Sequence, residues 1–125
     1  MGSLRILLVD DSRIIRGALT ELIQRSSRDW LVCGEAVDGS DALRQAAELN
    51  PDVVLLDLSL PVQNGLQVAN ILRKTSSSLK IVIMSEHDPV TLSRVSKEYG
   101  FECVPKSRIV SELLPILQRL AAQQP

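Results

Sequence analysis

The sequence predicts a doubly wound α/β domain, in which helices cover both faces of a parallel sheet. Five short apolar runs of strand length alternate with segments of helical period. The inner runs, such as Val53–Leu56, are apolar at consecutive positions, which is typical of strands buried on both faces. A chain of 125 residues, 45% of them hydrophobic, is long enough to bury one continuous core.

The first half of the chain supplies three strands and two helices. We expect strands over residues 4–9, 31–37 and 53–56. The first helix follows the N-cap candidate Ser12, with apolar residues on one stripe. The second helix begins near Ser40, after a turn signal at Asp38-Gly39, and stops before Asn50-Pro51.

The second half continues the alternation, with strands expected over residues 80–84 and 101–104. A third helix follows Asn64-Gly65, a fourth spans about residues 89–98, and the last runs from about 107 to 121. Pro115 lies inside the last segment. Because proline has no N–H to donate, we expect it to kink or split that helix.

Composition excludes several classes of function. Fourteen Lys and Arg against fifteen Asp and Glu give a net charge of −1, and aromatic residues make up only 2% of the chain. Direct binding to nucleic acid is therefore not expected, since both a basic footprint and a stacking platform are lacking. The apolar runs are far shorter than the roughly 20 residues of a membrane span. We expect a cytoplasmic protein that does not contact a membrane.

The two ends of the chain fall outside the predicted domain, and the cysteines form no predicted metal site. Residues 1–3 look like a remnant of expression cloning, residues 4–120 form the predicted domain, and residues 121–125 look like the start of a linker or tail. Cys33 and Cys103 lack metal-ligand spacing, so we expect two packed thiols.

Polar residues stand at the carboxyl ends of four of the five predicted strands: Asp10 and Asp11, Asp57, Ser85 and Lys106. In sheets of this kind ligands bind beyond the carboxyl ends of the strands, so we expect these groups to converge. Three carboxylates together repel one another, and the cluster therefore needs a cation. Hard oxygen ligands suit Mg²⁺, or Mn²⁺ as a substitute.

These residues, in this order and at these intervals, resemble the receiver domain of bacterial two-component response regulators. The resemblance extends from about Leu4 to Leu120, and residues 34–43 and 51–61 are especially similar to receivers that precede helix-turn-helix output domains. The matching residues are Asp10-Asp11, the segment Asp57–Pro61, Gly65, Ser85 and Lys106. The resemblance implies a flavodoxin-like (βα)5 three-layer sandwich with strand order 2-1-3-4-5.

The resemblance also implies a function and a role for each residue. Asp57 would accept a phosphoryl group from a histidine kinase or a phosphotransfer protein, which makes the chain a signalling domain that takes part in its own phosphorylation and not an enzyme. The metal ligands would be Asp10, Asp11, Asp57 and the backbone carbonyl of Ser59. Lys106 and Ser85 would contact the phosphoryl oxygens.

Signalling is expected to change the surface formed by the fourth helix, the fifth strand and the fifth helix, with Ser85 pulled inward. Related domains usually carry an aromatic residue where this chain has Cys103, and Phe101 lies on the same strand face as a substitute. Glu86 would charge the entrance to the pocket. The readout would be a homodimer, or an output domain such as a DNA-binding domain beyond Pro125.

Two other functions stay open at this level. One is an interaction module that works without phosphorylation, which Cys103 and Glu86 make more credible. The other is a Mg²⁺-dependent phosphatase with an aspartyl nucleophile. Such enzymes resemble the haloacid dehalogenase pattern, with a second aspartate two residues after the nucleophile, where this chain has Ser59.

Overall fold

A five-stranded parallel sheet lies between two layers of helices in the computed structural model, which describes residues 2–60, 64–86 and 89–124. Met1, Pro61 and Pro125, to which some sequence predictions refer, lie outside the described residues. The strands are β1 (Leu4–Val9), β2 (Trp30–Ala36), β3 (Val53–Asp57), β4 (Lys80–Ser85) and β5 (Glu102–Pro105). The helices are α1 (Arg13–Ser26), α2 (Gly39–Leu49), α3 (Gly65–Thr75), α4 (Pro89–Tyr99) and α5 (Ile109–Ala122).

The strand order is β2-β1-β3-β4-β5, and every neighbouring pair is parallel. This confirms the predicted fold class and order. All five predicted strands and all five predicted helices are present, with edges that differ by one or two residues. β2 begins one residue earlier than predicted, at Trp30, and β5 ends one residue later, at Pro105.

The core has two layers, one on each side of the sheet. β1, β3 and β4 bury nearly every residue, which explains why their sequences are apolar without alternation. One layer packs the sheet against α1 and α5, and its centre includes Leu8, Leu55 and Leu113. The other layer packs it against α2, α3 and α4, with Leu56 and Val68 fully buried.

Side-chain caps begin three of the helices where the sequence indicated. The Ser12 side chain accepts a hydrogen bond from the backbone N–H of Ile15, and Asp38 accepts one from Asp41. Asn64 caps α3 in the same way. These caps satisfy N–H groups that have no partner within the helix, and so they fix the first turn of each helix beside the carboxyl edge of the sheet.

Pro115 was expected to kink or split the last helix; the split is wrong, and a kink stays a prediction. α5 is one unbroken helix of 14 residues, preceded by a short 3₁₀ turn over Lys106–Arg108. Pro115 lies on the exposed side of α5, where water can bind the carbonyl of Ser111 that loses its partner. On the other side Leu113 and Leu117 are fully buried, and their packing holds the helix together.

β2 contains a β-bulge. Ile6 pairs with Val32 and Leu7 pairs with Gly34, so that Cys33 is an extra residue in the ladder. The bulge reverses the facing of the residues that follow it. Val32 packs in the α1 and α5 layer, whereas Ala36 lies in the opposite layer. As a consequence Glu35, between Gly34 and Ala36, points to the side of α1.

Both cysteines are free and half-buried, as the sequence led us to expect. Burial raises the pKa of both thiols, in the case of Cys103 to about 11. Among the described residues, no helix combines the length and the apolar character needed to cross a bilayer.

Candidate functional site

Three carboxylates converge at the carboxyl edge of the sheet, as the sequence predicted. Asp10, Asp11 and Asp57 each offer one oxygen, and these oxygen atoms all lie within 4.8 Å of one another. The sheet register explains the meeting of the first and third strands. Val9 pairs with Leu56, so the next residues, Asp10 and Asp57, emerge side by side. Asp10 is completely buried and Asp57 nearly so, whereas Asp11 is exposed.

The backbone after each strand turns back onto its own carboxylate. The N–H of Ser12 donates to Asp10 Oδ1 at 2.8 Å, and the N–H of Ser59 donates to Asp57 Oδ1 at 3.0 Å. These short side-chain-to-backbone turns are typical of aspartate. They fix the side-chain rotamers of both buried acids and orient their second oxygens toward the fifth strand.

Lys106 lies between the two buried acids. Its Nζ is 2.9 Å from Asp10 Oδ2 and 3.3 Å from Asp57 Oδ2. Burial by itself lowers the pKa of Lys106, but the hydrogen bond to Asp10 and the charge of Asp57 outweigh burial, so that the pKa is raised above its ordinary value. The ammonium group is therefore charged at neutral pH. The sequence predicted that Lys106 meets the acids, but not that Asp10 is its nearer partner.

The donor set fits a divalent metal ion. Three carboxylates and one ammonium leave two negative charges in excess in a largely buried volume, and a small divalent cation would neutralise them. Oxygen ligands on opposite sides of an octahedral Mg²⁺ ion lie roughly 4 Å apart, which is compatible with three oxygen atoms that all lie within 4.8 Å of one another. Asp10 contacts the protein at 2.8 and 2.9 Å, closer than Asp57 does at 3.0 and 3.3 Å. Because Asp11 is exposed and Asp57 is the less tightly held of the two buried acids, these two are the better direct ligands.

Gly65, the first residue of α3, lies against the backbone at the end of β3. A Cβ atom added at Gly65 would come within 2.2 Å of the carbonyl oxygen of Asp57 and 2.7 Å of the Cα of Leu58. The N–H of Gly65 also donates to the carbonyl of Leu58 at 2.8 Å. The start of α3 therefore packs against the backbone that carries Asp57, and only glycine leaves enough space there.

Comparison with known proteins identifies the family. A family model described as response regulator receiver domain matches residues 6–118. The chain belongs to the response regulator receiver family. The receiver domain is 38% identical over 122 residues to the nitrate/nitrite response regulator protein NarL of Escherichia coli (strain K12), a match covering 94% of this chain and 54% of NarL. It thus spans about half the length of that relative.

Two further relatives match this receiver domain over very different shares of their own length. A protein-glutamate methylesterase/protein-glutamine glutaminase of Maricaulis maris is 41% identical over 81 residues, which are 65% of this chain and 20% of that protein. A crystal structure of a LuxR-family two-component response regulator from Aurantimonas sp. SI85-9A1 superimposes with a TM-score of 0.87 at 31% identity, covering 98% of this chain and 87% of that chain.

Ser85, whose hydroxyl was predicted to contact the phosphoryl group, is the last residue of β4. Ser85 is completely buried, and in the sheet register it pairs with Pro105, the residue before Lys106. The backbone N–H of Leu58 donates to the carbonyl of the preceding residue, Met84, so the loop after Asp57 is tied to the end of β4. Glu86 follows Ser85 with an exposed side chain, at the edge of an apolar groove that also includes Lys106.

Of the two further switch candidates, Cys103 lies in β5 and Phe101 directly precedes it. Phe101 is buried, with the guanidinium of Arg73 3.7 Å from its ring centroid. It precedes β5 and therefore lies at the amino edge of the sheet, opposite to Asp57. Cys103 packs in the same layer as Phe101, so the predicted shared face is confirmed, while a switching role for either residue stays a prediction.

The sequence analysis missed one charged residue close to the site. Arg16 Nη1 donates to the backbone carbonyl of Asp10 at 2.7 Å, and its side chain is only 12% exposed. A signal was present in the sequence, because Arg16 falls on the same helical stripe as Leu19 and Ile23, which are buried. A charged residue on a buried stripe indicates a specific partner.

Proposed function

We propose that this receiver domain accepts a phosphoryl group on Asp57 with the help of Mg²⁺ and passes the change to the surface formed by α4, β5 and α5. The donor would be the phosphohistidine of a kinase or of a phosphotransfer protein. The observation that carries the proposal is the meeting of three carboxylates and one ammonium at the carboxyl edge of the sheet.

The surroundings of Asp57 favour it as the acceptor over the other two acids. Both buried acids use both oxygens, but the contact of Asp57 Oδ2 with Lys106, at 3.3 Å, is longer than that of Asp10 Oδ2, at 2.9 Å. The Asp57 side chain is 6% exposed and that of Asp10 1%, so a donor would reach Asp57 more easily. Asp57 would attack the phosphorus atom in line, and the histidine nitrogen would leave.

The cationic groups would supply most of the rate enhancement. A metal ion held by Asp11 and Asp57, with Asp10 behind it and the carbonyl of Ser59 as a further ligand, neutralises charge on the phosphoryl oxygens when bound. Lys106 would move from the carboxylates toward one phosphoryl oxygen, and the Ser85 hydroxyl would donate to another. Both groups lie at strand ends that the sheet already holds in place, so little reorganisation is required.

The likeness to NarL and to a LuxR-family regulator supports an output that involves other domains or a second copy of the chain. The candidate output surface carries exposed apolar side chains, since Val90 on α4 is 71% exposed and Val110 on α5 is 68% exposed. The turn Lys106–Arg108 connects the site directly to α5, so a displacement of Lys106 would reach that surface over a few residues.

The test is phosphorylation by acetyl phosphate, followed by intact-protein mass spectrometry. With Mg²⁺ we expect one phosphoryl group on the wild-type protein and none on Asp57→Asn. Asp29→Asn, at an aspartate before β2 on the opposite edge of the sheet, is the matched control and should be phosphorylated like the wild type.

Each alternative function would give a different result. Full phosphorylation of a folded Asp57→Asn protein would overturn the choice of acceptor. Failure of the wild type to gain a phosphoryl group, combined with unchanged partner binding, would favour an interaction module that works without phosphorylation. Steady release of phosphate from a small phosphoester would favour the phosphatase.

A further inference from the structure

Arg16 connects the acid cluster to the edge of the sheet. The arginine lies in the second turn of α1, and its guanidinium makes two contacts in opposite directions. Nη1 donates to the carbonyl oxygen of Asp10 at 2.7 Å, and Nε donates to Glu35 Oε1 at 2.9 Å. The first acceptor belongs to the peptide bond that joins Asp10 to Asp11, and the second belongs to β2.

We propose that Arg16, held by Glu35, is a positioning residue that orients the peptide bond between Asp10 and Asp11 and thereby places the Asp11 carboxylate for the metal ion. This inference rests on the proposed function, because it assigns Arg16 and Glu35 a role at the same Mg²⁺ site. Neither residue contacts the metal or the phosphoryl group in this scheme.

The first support is that no residue in the described part of the chain holds the Asp11 side chain. Asp10 is fixed at both oxygens by Ser12 and Lys106. Asp11, in contrast, is exposed and makes no hydrogen bond or ion pair with any residue in the ranges 2–60, 64–86 and 89–124. The plane of the preceding peptide bond fixes where the Asp11 Cα lies and in which direction its side chain leaves the backbone.

The second support is the burial of the guanidinium. The Arg16 side chain is 12% exposed, and it lies beside a completely buried Asp10. A charged hydrogen bond to a carbonyl that water cannot reach is strong and directional. The planar fork of arginine spans two acceptors at a fixed angle, which a lysine cannot do.

The third support is the β-bulge at Cys33. Without the extra residue, alternation along β2 would point residue 35 into the layer of α2 and α3. With it, Glu35 points toward α1 and meets Arg16. Bulges commonly re-aim a side chain close to a functional site. In this chain the bulge supplies the anion that fixes the second arm of the arginine, and Gln45 Nε2 in turn donates to the backbone carbonyl of Glu35 at 2.7 Å.

The experiment measures Mg²⁺ binding to the unphosphorylated protein by isothermal titration calorimetry. We expect Arg16→Met to weaken Mg²⁺ binding by about 10-fold or more, as is usual when a residue behind a metal ligand is removed. Glu35→Gln should weaken it less, since Arg16 keeps its bond to the carbonyl. Arg16→Lys should fall between the wild type and Arg16→Met, because lysine can still donate to one acceptor.

The matched control is Arg25→Met. Arg25 lies on the same helix and pairs with Glu21 at 2.9 Å on the exposed face. Its Mg²⁺ affinity should equal that of the wild type. If Arg16→Met lowers the melting temperature in EDTA but binds Mg²⁺ as tightly as the control, Arg16 has only a structural role and the proposal is overturned.

A second measurement needs no metal. In ¹⁵N-labelled, metal-free protein, Arg16→Met should shift the amide signals of Asp11 and Ser12 more than Arg25→Met does. If the wild type binds no Mg²⁺ but these signals shift, the metal site fails while the orienting contact stands. If Arg16→Met leaves these signals in place, the positioning proposal is contradicted even when the wild type binds Mg²⁺. Should Arg16→Met not fold, Glu35→Gln provides both comparisons.

Discussion

Removal of the ammonium group between two buried acids should be the most damaging single change at this site. Lys106 Nζ lies 2.9 Å from Asp10 and 3.3 Å from Asp57, and both acids are almost completely buried. The substitution Lys106→Met keeps the length of the side chain and removes its charge. Three carboxylates then share the site without any protein cation in contact with them among the described residues.

The size of the effect follows from the two distances. At an effective dielectric constant of about 20, each contact corresponds to an attraction of roughly 5–6 kcal/mol before the cost of burial is subtracted. That cost offsets much of the attraction, and breaking a buried pair by removing one partner typically costs about 3–5 kcal/mol. Because the Lys106 side chain is 17% exposed, we expect the lower end, a loss of about 3 kcal/mol in the free energy of unfolding.

The assay is urea unfolding at pH 7 in EDTA, with Lys97→Met as the control. Lys97 is exposed in the last turn of α4 and forms no ion pair within the described part of the chain. Mg²⁺ should stabilise Lys106→Met more than the wild type, because the variant carries one more uncompensated negative charge. A loss of stability no larger than that of Lys97→Met, or an equal effect of Mg²⁺ on both proteins, would refute this account of the electrostatics.

Three further predictions concern the surroundings of the site. Gly65→Ala should lower the free energy of unfolding by about 1–3 kcal/mol in urea titrations, because the alanine Cβ would overlap the backbone of Asp57. An unchanged unfolding midpoint would show that the space between α3 and the Asp57 backbone is larger than described. Native Cys103 should react with iodoacetamide about 100-fold more slowly near pH 8 than an unperturbed thiol, because burial raises its pKa from 9.0 to about 11. Peptide mapping would compare the rate of modification of Cys103 in native protein with the rate in urea-unfolded protein. The free energy of unfolding should fall as the pH rises from about 9 toward 11, since the folded protein holds the protons of Cys103 and Lys106 more tightly than the unfolded chain does. Cys103→Ala should make this decrease smaller, and a wild-type stability that rises over the same interval would contradict the prediction.

Sequence patterns were sufficient for the α/β class and the succession of strands and helices because the determining signals are local, whereas the strand order came from the resemblance to the receiver family. Consecutive apolar residues in β3 reflect burial on both faces, and the caps Ser12, Asp38 and Asn64 mark where helices begin. The convergence of Asp10, Asp57 and Lys106 followed from the rule that parallel strands place their carboxyl ends at one edge. The position of each acid at a strand end was therefore enough to predict the cluster.

What the sequence did not predict depends on contacts between distant residues. The bulge at Cys33 is visible only in the register of β2 against β1. The preference of Lys106 for Asp10 depends on side-chain rotamers and on the turn that follows β5. Local propensity also suggested a break of the last helix at Pro115. The helix is unbroken because the packing of α5 against the sheet outweighs one lost hydrogen bond.

The positions of the switch candidates show a further limit. The sequence places Phe101 and Cys103 on one strand face, and the structure agrees. Sequence alone does not show that Arg73 covers the ring of Phe101, or that this ring lies at the opposite edge of the sheet from Asp57. Resemblance to a family predicts which type of residue a position holds. Where this chain differs, as at Cys103, the packing around that position is known only from the structure.

The central claim is that Asp57 forms an acyl phosphate in the presence of a divalent ion. Borohydride reduces an acyl phosphate to an alcohol and would convert a phosphorylated aspartate into homoserine, which tandem mass spectrometry locates. After treatment with acetyl phosphate and Mg²⁺, the account predicts homoserine at position 57 and at no other aspartate, with none formed in EDTA. Homoserine at position 10 or 11, or an equal yield at position 57 in EDTA, would contradict it.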